Sequence, residues 1–234
     1  MKKIYKVIKR IIDFIFSLIG IIILSPIFLI TAIAIKLDSK GPVIFIQKRN
    51  GLHGKLFNCY KFRSMVADNN PLNLSTENKI TRVGKFIRKT SLDELPQLFN
   101  ILKGDMSFIG PRPWPPTYTD LFTEEQKHRN DVLPGITGLA QVHGRNELSV
   151  LERIEYDLIY VEKFSFLMDL KVLGKTITTV FSEQGAEITK KGIKRDLEIL
   201  EENRDKKEKS KNTKKTTKKS KKAWFNIKLF LFTF

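Results

Sequence analysis

The longest hydrophobic segment of the chain covers residues 14–35, a run of 22 residues without a charged side chain. A straight helix of this length, rising about 1.5 Å per residue, would cover the hydrocarbon core of a bilayer, which is about 30 Å thick. Ser25 and Pro26 lie at its middle. The proline removes a backbone donor, and the serine hydroxyl can bond a carbonyl oxygen that is freed there. The pattern therefore predicts a membrane helix with a sharp bend.

Basic residues flank this segment on both sides, namely Lys2, Lys3, Lys6, Lys9 and Arg10 before it and Lys36, Lys40, Lys48 and Arg49 after it. Because Lys and Arg accumulate on the cytoplasmic side of membrane segments, both ends are expected there and the helix is expected to be re-entrant. A plain spanning anchor stays open as an alternative. A signal peptide is disfavoured because the segment is too long and has no small-residue cleavage site. A buried core helix is disfavoured because such long uncharged runs are rare in soluble domains.

Shorter patterns predict the rest of the fold. Two alternating segments, residues 43–47 and 55–65, surround a turn at Asn50-Gly51 and predict a β-hairpin. Apolar residues at helical spacing predict a basic amphipathic helix over 81–89 and a helix over 93–103 that ends at Gly104. The same spacing predicts a helical region over 151–181 with a break near Phe164-Ser165. We therefore predict an α+β, mainly helical fold, in which a re-entrant helix, a small hairpin and amphipathic interfacial helices build one cytoplasmic globular domain.

Composition divides the chain into three parts: a basic flank with the membrane helix over 1–40, a globular domain over 41–200 that is expected to be cytoplasmic, and a lysine-rich tail with an aromatic end over 201–234. The formal net charge is +17, and ten lysines and one glutamate between Lys206 and Lys222 supply +9 of it. This stretch is poor in apolar residues and is expected to be disordered. It is either a solvated extension or a segment attracted to anionic lipid. The single cysteine, Cys59, excludes an internal disulfide.

Candidate chemistry centres on two adjacent carboxylates, Asp93 and Glu94, at the predicted start of a helix. Asp93 as an N-cap followed by Glu94 in the first turn is also ordinary helix chemistry, so a purely structural role stays open. Basic groups surround the pair in sequence: Arg82, Lys85, Arg88 and Lys89 before it, Arg112 in a stiff proline-rich loop after it, and Lys61 and Arg63 in the hairpin. The set is typical of a site for a phosphate and a divalent cation, in which one carboxylate holds the metal and the other attacks phosphorus.

Several longer motifs occur in a fixed order: Lys61-Phe62-Arg63-Ser64-Met65, Thr90-Ser91-Leu92-Asp93-Glu94-Leu95-Pro96-Gln97-Leu98, Gly104-Asp105-Met106-Ser107-Phe108-Ile109-Gly110-Pro111-Arg112-Pro113 and Pro134-Gly135-Ile136-Thr137-Gly138. Together with Ser25-Pro26, they resemble the bacterial sugar transferase family, the monotopic polyprenyl-phosphate phosphoglycosyl transferases of the small, single-domain type. The resemblance covers roughly residues 5–188.

The resemblance implies a membrane enzyme that moves a sugar 1-phosphate from a UDP-sugar to undecaprenyl phosphate at the cytoplasmic face of the membrane, with release of UMP and a covalent intermediate. It implies that Asp93 is the nucleophile and that Glu94 holds magnesium (Mg2+). Arg88 and Arg112 would bind phosphate, and the charges of Lys61 and Arg63 add these two side chains to the set. Ser25 and Pro26 would shape the re-entrant helix.

A second class of function stays open, a membrane-tethered basic protein that binds anionic lipid or nucleic acid, because the composition alone would permit it. We favour the enzyme and expect no nucleic acid partner, since the excess charge is concentrated in the tail. The expected partners are a UDP-sugar, undecaprenyl phosphate and membrane lipid. The sequence does not identify the sugar, the glycan pathway or the oligomeric state.

Overall fold

The computed structural model describes residues 2–66, 80–144, 148–181 and 192–210. Within them the fold is mainly helical with two small two-stranded sheets, as the predicted α+β class requires. The helices are α1 Lys2–Ile23, α2 Ser25–Asp38, α3 Arg82–Lys89, α4 Gln97–Lys103, α5 Pro116–Thr119, α6 Glu124–Lys127, α7 Val150–Glu162, α8 Phe166–Phe181 and α9 over residues 192–210. The strands are β1 Ile44–Asn50, β2 Leu56–Phe62, β3 Ser107–Ile109 and β4 Gly135–Thr137.

The predicted bend lies between α1 and α2, which meet at an angle of 61°. Pro26 occupies the first turn of α2, and the Ser25 hydroxyl donates to the carbonyl of Ile22 at 2.7 Å. The serine therefore satisfies a carbonyl at the break, as the sequence predicted. No single helix in the described part of the chain is long and apolar enough to cross a membrane, and only this bent pair meets the length and composition requirement when taken together.

The first half of α1 packs on the globular domain through its polar side chains. Arg10 donates to the carbonyls of Ile101 and Leu102 at 2.5 and 2.8 Å, so it satisfies carbonyls at the end of α4. A buried carboxylate, Asp13, accepts the backbone N–H of Phe108 at 3.1 Å. These bonds fix the orientation of α1 on the domain before the bend is reached.

The predicted hairpin is confirmed. Strands β1 and β2 pair antiparallel from Ile44 opposite Phe62 to Asn50 opposite Leu56. The connection contains a short 3₁₀ turn, Leu52–Gly54, and Gly51 donates to the carbonyl of Lys55 at 2.8 Å. The connection therefore begins at Gly51, where the sequence predicted a turn, and runs to Lys55.

The helix predicted over 93–103 is shorter, and Asp93 is not its N-cap. A 3₁₀ turn, Leu92–Glu94, comes first, and α4 begins only at Gln97, with Pro96 at its N-cap position. Ser91 has a left-handed backbone, with a φ of 56°, and turns the chain sharply just before the two carboxylates. The predicted end is confirmed, because Gly104 ends α4 with a φ of 95°.

A parallel pair of strands was not predicted. Strand β3 pairs with β4, with Ser107 opposite Gly135 and Ile109 opposite Thr137. The two glycine motifs meet here, because a Cβ on Gly110 would lie 2.3 Å from the carbonyl oxygen of Leu133, and one on Gly135 would lie 2.1 Å from the nitrogen of Gly110. The backbones approach too closely for any side chain at these positions.

The C-terminal helices confirm one prediction and extend another. Helix α7 ends at Glu162 and α8 begins at Phe166, which confirms the break near Phe164-Ser165. Helix α9 runs ten residues beyond the predicted domain boundary at 200 and into the start of the segment predicted to be disordered. The helix packs on the domain, where Leu200 is almost fully buried. The rest of the tail, residues 211–234, lies outside the described residues.

The glycine contact between the β3 and β4 segments gives a first prediction. Gly135→Ala forces a Cβ into the backbone of Gly110, so we expect a loss of about 2 kcal/mol in unfolding free energy, as at other overpacked sites. For a domain of this size that lowers the Tm by about 6 °C.

The matched control is Gly174→Ala in α8, where no atom lies within 4 Å of the added Cβ. This change should leave the Tm unchanged or raise it slightly, because alanine favours helix. Equal Tm values for the two variants would contradict the proposed close contact. Thermal unfolding followed by circular dichroism gives both values.

Candidate active site

Glu94 lies at the centre of an ion-pair group. Its Oε1 accepts from Lys61 Nζ at 2.6 Å and from Arg112 Nη2 at 2.6 Å. Burial alone would raise the pKa of Glu94, but the charges of Arg112 and Lys61 outweigh it and hold the pKa well below its usual range. Glu94 in turn raises the pKa of Arg112. The carboxylate is therefore ionised at neutral pH.

The approach of Glu94 to Lys61 follows from how α4 docks on the hairpin. Asn100 is fully buried, and its side-chain oxygen accepts the N–H of Tyr60 at 3.0 Å while its amide donates to the carbonyl of Asn58 at 2.7 Å. One side chain thus bonds two backbone groups of β2. Because Lys61 follows Tyr60 and the 3₁₀ turn precedes α4, the lysine and Glu94 meet.

Asp93 differs from its neighbour in having no hydrogen-bond or ion-pair partner among the described residues. Within the described residues, no hydrogen bond or ion pair reaches its carboxylate, although it is partly buried. Burial raises its pKa, with Lys61 opposing and the charge of Glu94 adding to the rise. A carboxylate with its lone pairs uncommitted, next to two cations, is suited to attack an electrophile.

The loop that carries Arg112 is held by its backbone. Three successive carbonyls accept hydrogen bonds: that of Arg112 from Arg129 Nη2 at 2.6 Å, that of Pro113 from Arg49 Nη1 at 3.0 Å, and that of Trp114 from the N–H of Asn50 at 3.0 Å. Prolines 111, 113 and 115 further restrict the backbone. The Arg112 side chain therefore extends from a rigid base.

Arg129 and Arg49 support the site, and no sequence pattern indicated either role. Arg129 is buried and pairs with Asp157 of α7 at 2.7 Å, and burial raises the pKa of Asp157 against the effect of Arg129. Burial lowers the pKa of Arg49 to about 10. Their partners are distant in sequence, so only the fold reveals them.

The other two predicted phosphate-binding residues differ from each other. Arg88 lies close enough to lower the pKa of Asp93, and its Nε donates to Ser64 Oγ at 2.8 Å. Arg63 is buried and donates from Nη2 to the carbonyl of Ser39 at 2.8 Å and from Nη1 to that of Lys40. Arg63 thus binds the backbone carbonyls just after the end of α2. Lys61, Arg88 and Arg112 instead surround the two carboxylates.

The bent helix pair reaches the site through α2. Leu92 and Leu95, which flank the carboxylates, pack in a cluster with Ile35, Phe62 and Ile87. Asp38 at the end of α2 accepts the N–H of Val83 at 2.9 Å, which lies in the first turn of α3. Ser25 and Pro26 themselves lie at the other end of α2 and do not belong to the site.

Exposed apolar side chains lie on the bent pair and on three other helices. Large examples on the other helices are Phe86 of α3, Phe99 of α4, and Phe166, Leu167, Leu170, Leu173 and Ile177 of α8. Leu167 is 74% exposed, and the α8 residues recur at helical spacing. Such a surface is typical of contact with lipid or another apolar partner.

The donor set at Asp93 and Glu94 is compatible with Mg2+. The described residues contain no cluster of three or more His, Cys, Asp or Glu side chains, so they offer no all-protein metal cage. Mg2+ is commonly held by one or two carboxylates together with substrate phosphates and waters. Among the described residues, Glu94 Oε2 has a single long contact, with Arg112 Nη1 at 3.5 Å, so this oxygen is the one that could bind a metal ion.

Comparison of the sequence with known proteins identifies relatives of this chain. The chain is 43% identical to the uncharacterized sugar transferase EpsL of Bacillus subtilis over 185 residues, 78% of this chain and 92% of that protein. It is 45% identical to a UDP-glucose:undecaprenyl-phosphate glucose-1-phosphate transferase of Klebsiella pneumoniae, with 77% of this chain and 41% of that protein covered.

A third relative is the UDP-N-acetylgalactosamine-undecaprenyl-phosphate N-acetylgalactosaminephosphotransferase of Aeromonas hydrophila, with 44% identity over 78% of this chain and 46% of that protein. The chain thus spans less than half the length of the Klebsiella and Aeromonas relatives. The bacterial sugar transferase family matches residues 4–183, which include both carboxylates and every cation around them. The chain therefore belongs to the bacterial sugar transferase family.

Proposed function

We propose that this protein transfers a sugar 1-phosphate from a UDP-sugar to undecaprenyl phosphate through an aspartyl-phosphosugar intermediate on Asp93, releasing UMP. The observation that carries the proposal is the contrast between the two carboxylates: Glu94 is bound by Lys61 and Arg112, whereas Asp93 has no partner among the described residues. The names of the Klebsiella and Aeromonas relatives support the donor and acceptor classes.

In the first step, an Asp93 carboxylate oxygen attacks the sugar-bearing phosphorus of the donor. The new O–P bond forms as the bond to the bridging oxygen breaks, and that oxygen leaves with UMP. Arg112 and Arg88 bind the phosphates, and Lys61 adds positive charge beside them. Glu94 would hold Mg2+ against the diphosphate, where the ion supplies charge screening.

In the second step, an oxygen of undecaprenyl phosphate attacks the same phosphorus and frees Asp93. Both phosphates must therefore reach one carboxylate, and the acceptor is anchored in lipid. We infer that the α1–α2 pair is a re-entrant membrane helix, with the catalytic domain on the cytoplasmic face. The contact of α2 with Leu92 and Leu95 supports this, since it would hold Asp93 and Glu94 at the height of the headgroups.

The alternative is a membrane-tethered basic protein that binds anionic lipid or nucleic acid. Such a protein does not require an unpaired carboxylate next to a bound one, and the site cations are already engaged with Glu94 rather than presented as an open basic surface. Release of UMP from a UDP-sugar, polyprenyl phosphate and magnesium separates the two functions. A screen of UDP-sugars with the same readout identifies the sugar.

Asp93→Asn should abolish turnover while the fold is retained. The amide keeps the size of the side chain but is not a nucleophile towards phosphorus. Because no hydrogen bond among the described residues depends on Asp93, we expect the Tm to change by less than about 2 °C. Wild-type protein incubated with the donor alone should carry a phosphosugar on Asp93, detectable by mass spectrometry.

Asp120→Asn is the matched control, because Asp120 is an exposed aspartate at the end of α5. It should retain wild-type turnover. Turnover by the Asp93→Asn variant, or an adduct on any other residue, would refute the nucleophile assignment.

The re-entrant geometry predicts that both ends of the bent pair face the cytoplasm. Single cysteines at the exposed positions Lys3 and Lys40, introduced into a Cys59→Ser background, should resist an impermeant maleimide added to intact cells. Both should react once the cells are permeabilised. Labelling of one site alone in intact cells would instead establish a spanning helix.

A further inference from the structure

Helix α9 packs against the loop that carries Arg112, although the family match ends at residue 183. Leu200 of α9 is buried in a cluster with Trp114 and Tyr118, and Ile193 and Leu197 pack against the same cluster. Trp114 lies two residues after Arg112. A helix outside the matched region thus contacts a segment of the candidate active site.

An ion pair joins α9 to α7, and its α7 partner, Arg153, lies over the ring of Trp114 in this loop. Asp196 of α9 accepts from Arg153 Nη2 at 2.5 Å, and the two side chains are only 11% and 13% exposed. The guanidinium carbon of Arg153 lies 5.1 Å from the centre of the Trp114 ring. Asp196 therefore holds Arg153 in position against the ring, since a cation at this distance is attracted to it.

The guanidinium of Arg129 connects Trp114 to Arg112. Arg129 lies 5.5 Å from the same ring centre and donates to the carbonyl of Arg112 at 2.6 Å. Trp114 also makes edge contacts with Tyr118 and Phe122, at ring distances of 4.9 and 5.6 Å. The ring is thus fixed by contacts on several sides, and one of these depends on α9.

We propose that Asp196 is a positioning residue, which acts through Arg153 and Trp114 to hold Arg112 in the geometry that the donor phosphates require. The proposal rests on the proposed function. Asp196 touches neither carboxylate of the site, so its effect on the reaction passes through the loop. Displacing a binding group by about 1 Å can reduce a rate by about a hundredfold, and a partly supported loop should lose less than that.

The test measures UMP release for Asp196→Asn. Loss of the charge frees Arg153 from its partner, and we expect kcat/KM for the donor to fall about tenfold, mainly through kcat. Asp196→Glu keeps the charge and should recover most of the activity. Glu198→Gln is the matched control, because Glu198 is an exposed residue of the same helix whose 3.9 Å pair with Lys194 does not touch the loop. It should have wild-type kinetics.

A double-mutant cycle distinguishes positioning from a general loss of stability. In an Arg112→Ala background, with the residual rate measured at high enzyme concentration, Asp196→Asn should cause little further loss if it acts through Arg112. Losses that multiply, or wild-type kinetics in the Asp196→Asn single variant, would overturn the proposal.

Folding of the variants is checked by their Tm. If Asp196→Asn does not fold, Arg153→Lys replaces it in the same cycle, because lysine can keep the charge pair but loses the planar contact with Trp114. Wild-type kinetics or multiplying losses for that variant would equally overturn the proposal. If wild-type protein releases no UMP from any donor tested, the proposed function fails instead, so the two failures are distinguishable.

Discussion

The ion-pair group at Glu94 is the interaction on which the site depends. Lys61 comes from β2, Glu94 from the turn before α4, and Arg112 from the loop after β3, so one carboxylate joins three segments that are distant in sequence. Two cations on a single oxygen, Oε1, hold that carboxylate ionised and in one orientation. Removing either cation would leave Glu94 partly buried with less compensation for its charge, which is costly in a protein interior.

The same group determines the chemical difference between the adjacent carboxylates. Glu94 takes up the nearest cations, and the left-handed turn at Ser91 together with the 3₁₀ geometry leaves Asp93 outside their hydrogen bonds. Asp93 still experiences their charge, because Lys61 and Arg112 oppose the rise that burial causes in its pKa. It is thus an ionisable group near cations whose oxygens accept no hydrogen bond from the part of the chain that the structure describes, as a carboxylate nucleophile in the proposed reaction requires.

The features predicted from sequence were those set by local chemistry: the bend at Ser25-Pro26, the hairpin, the end of α4 at Gly104 and the break before α8. The proposed N-cap role of Asp93 was wrong, because the cap rule does not foresee a left-handed Ser91 and a separate 3₁₀ turn. The β3–β4 pair and the roles of Arg49, Arg129 and Arg63 depend on partners far along the chain. Arg63 was predicted to bind phosphate because it is basic, but only the fold shows that its guanidinium binds backbone carbonyls after α2.

The bend of the helix pair is also constrained by the domain, and not by Pro26 alone. On one side of it, Arg10 and Asp13 fix α1 to the end of α4 and to β3. On the other side, Arg63 binds the last carbonyls after α2, and Asp38 binds the start of α3. Proline permits a range of kink angles, whereas bonds on both sides of the break select one. The geometry of the proposed membrane helix and that of the carboxylate site are therefore determined by the same set of helices, so a change in one would be transmitted to the other.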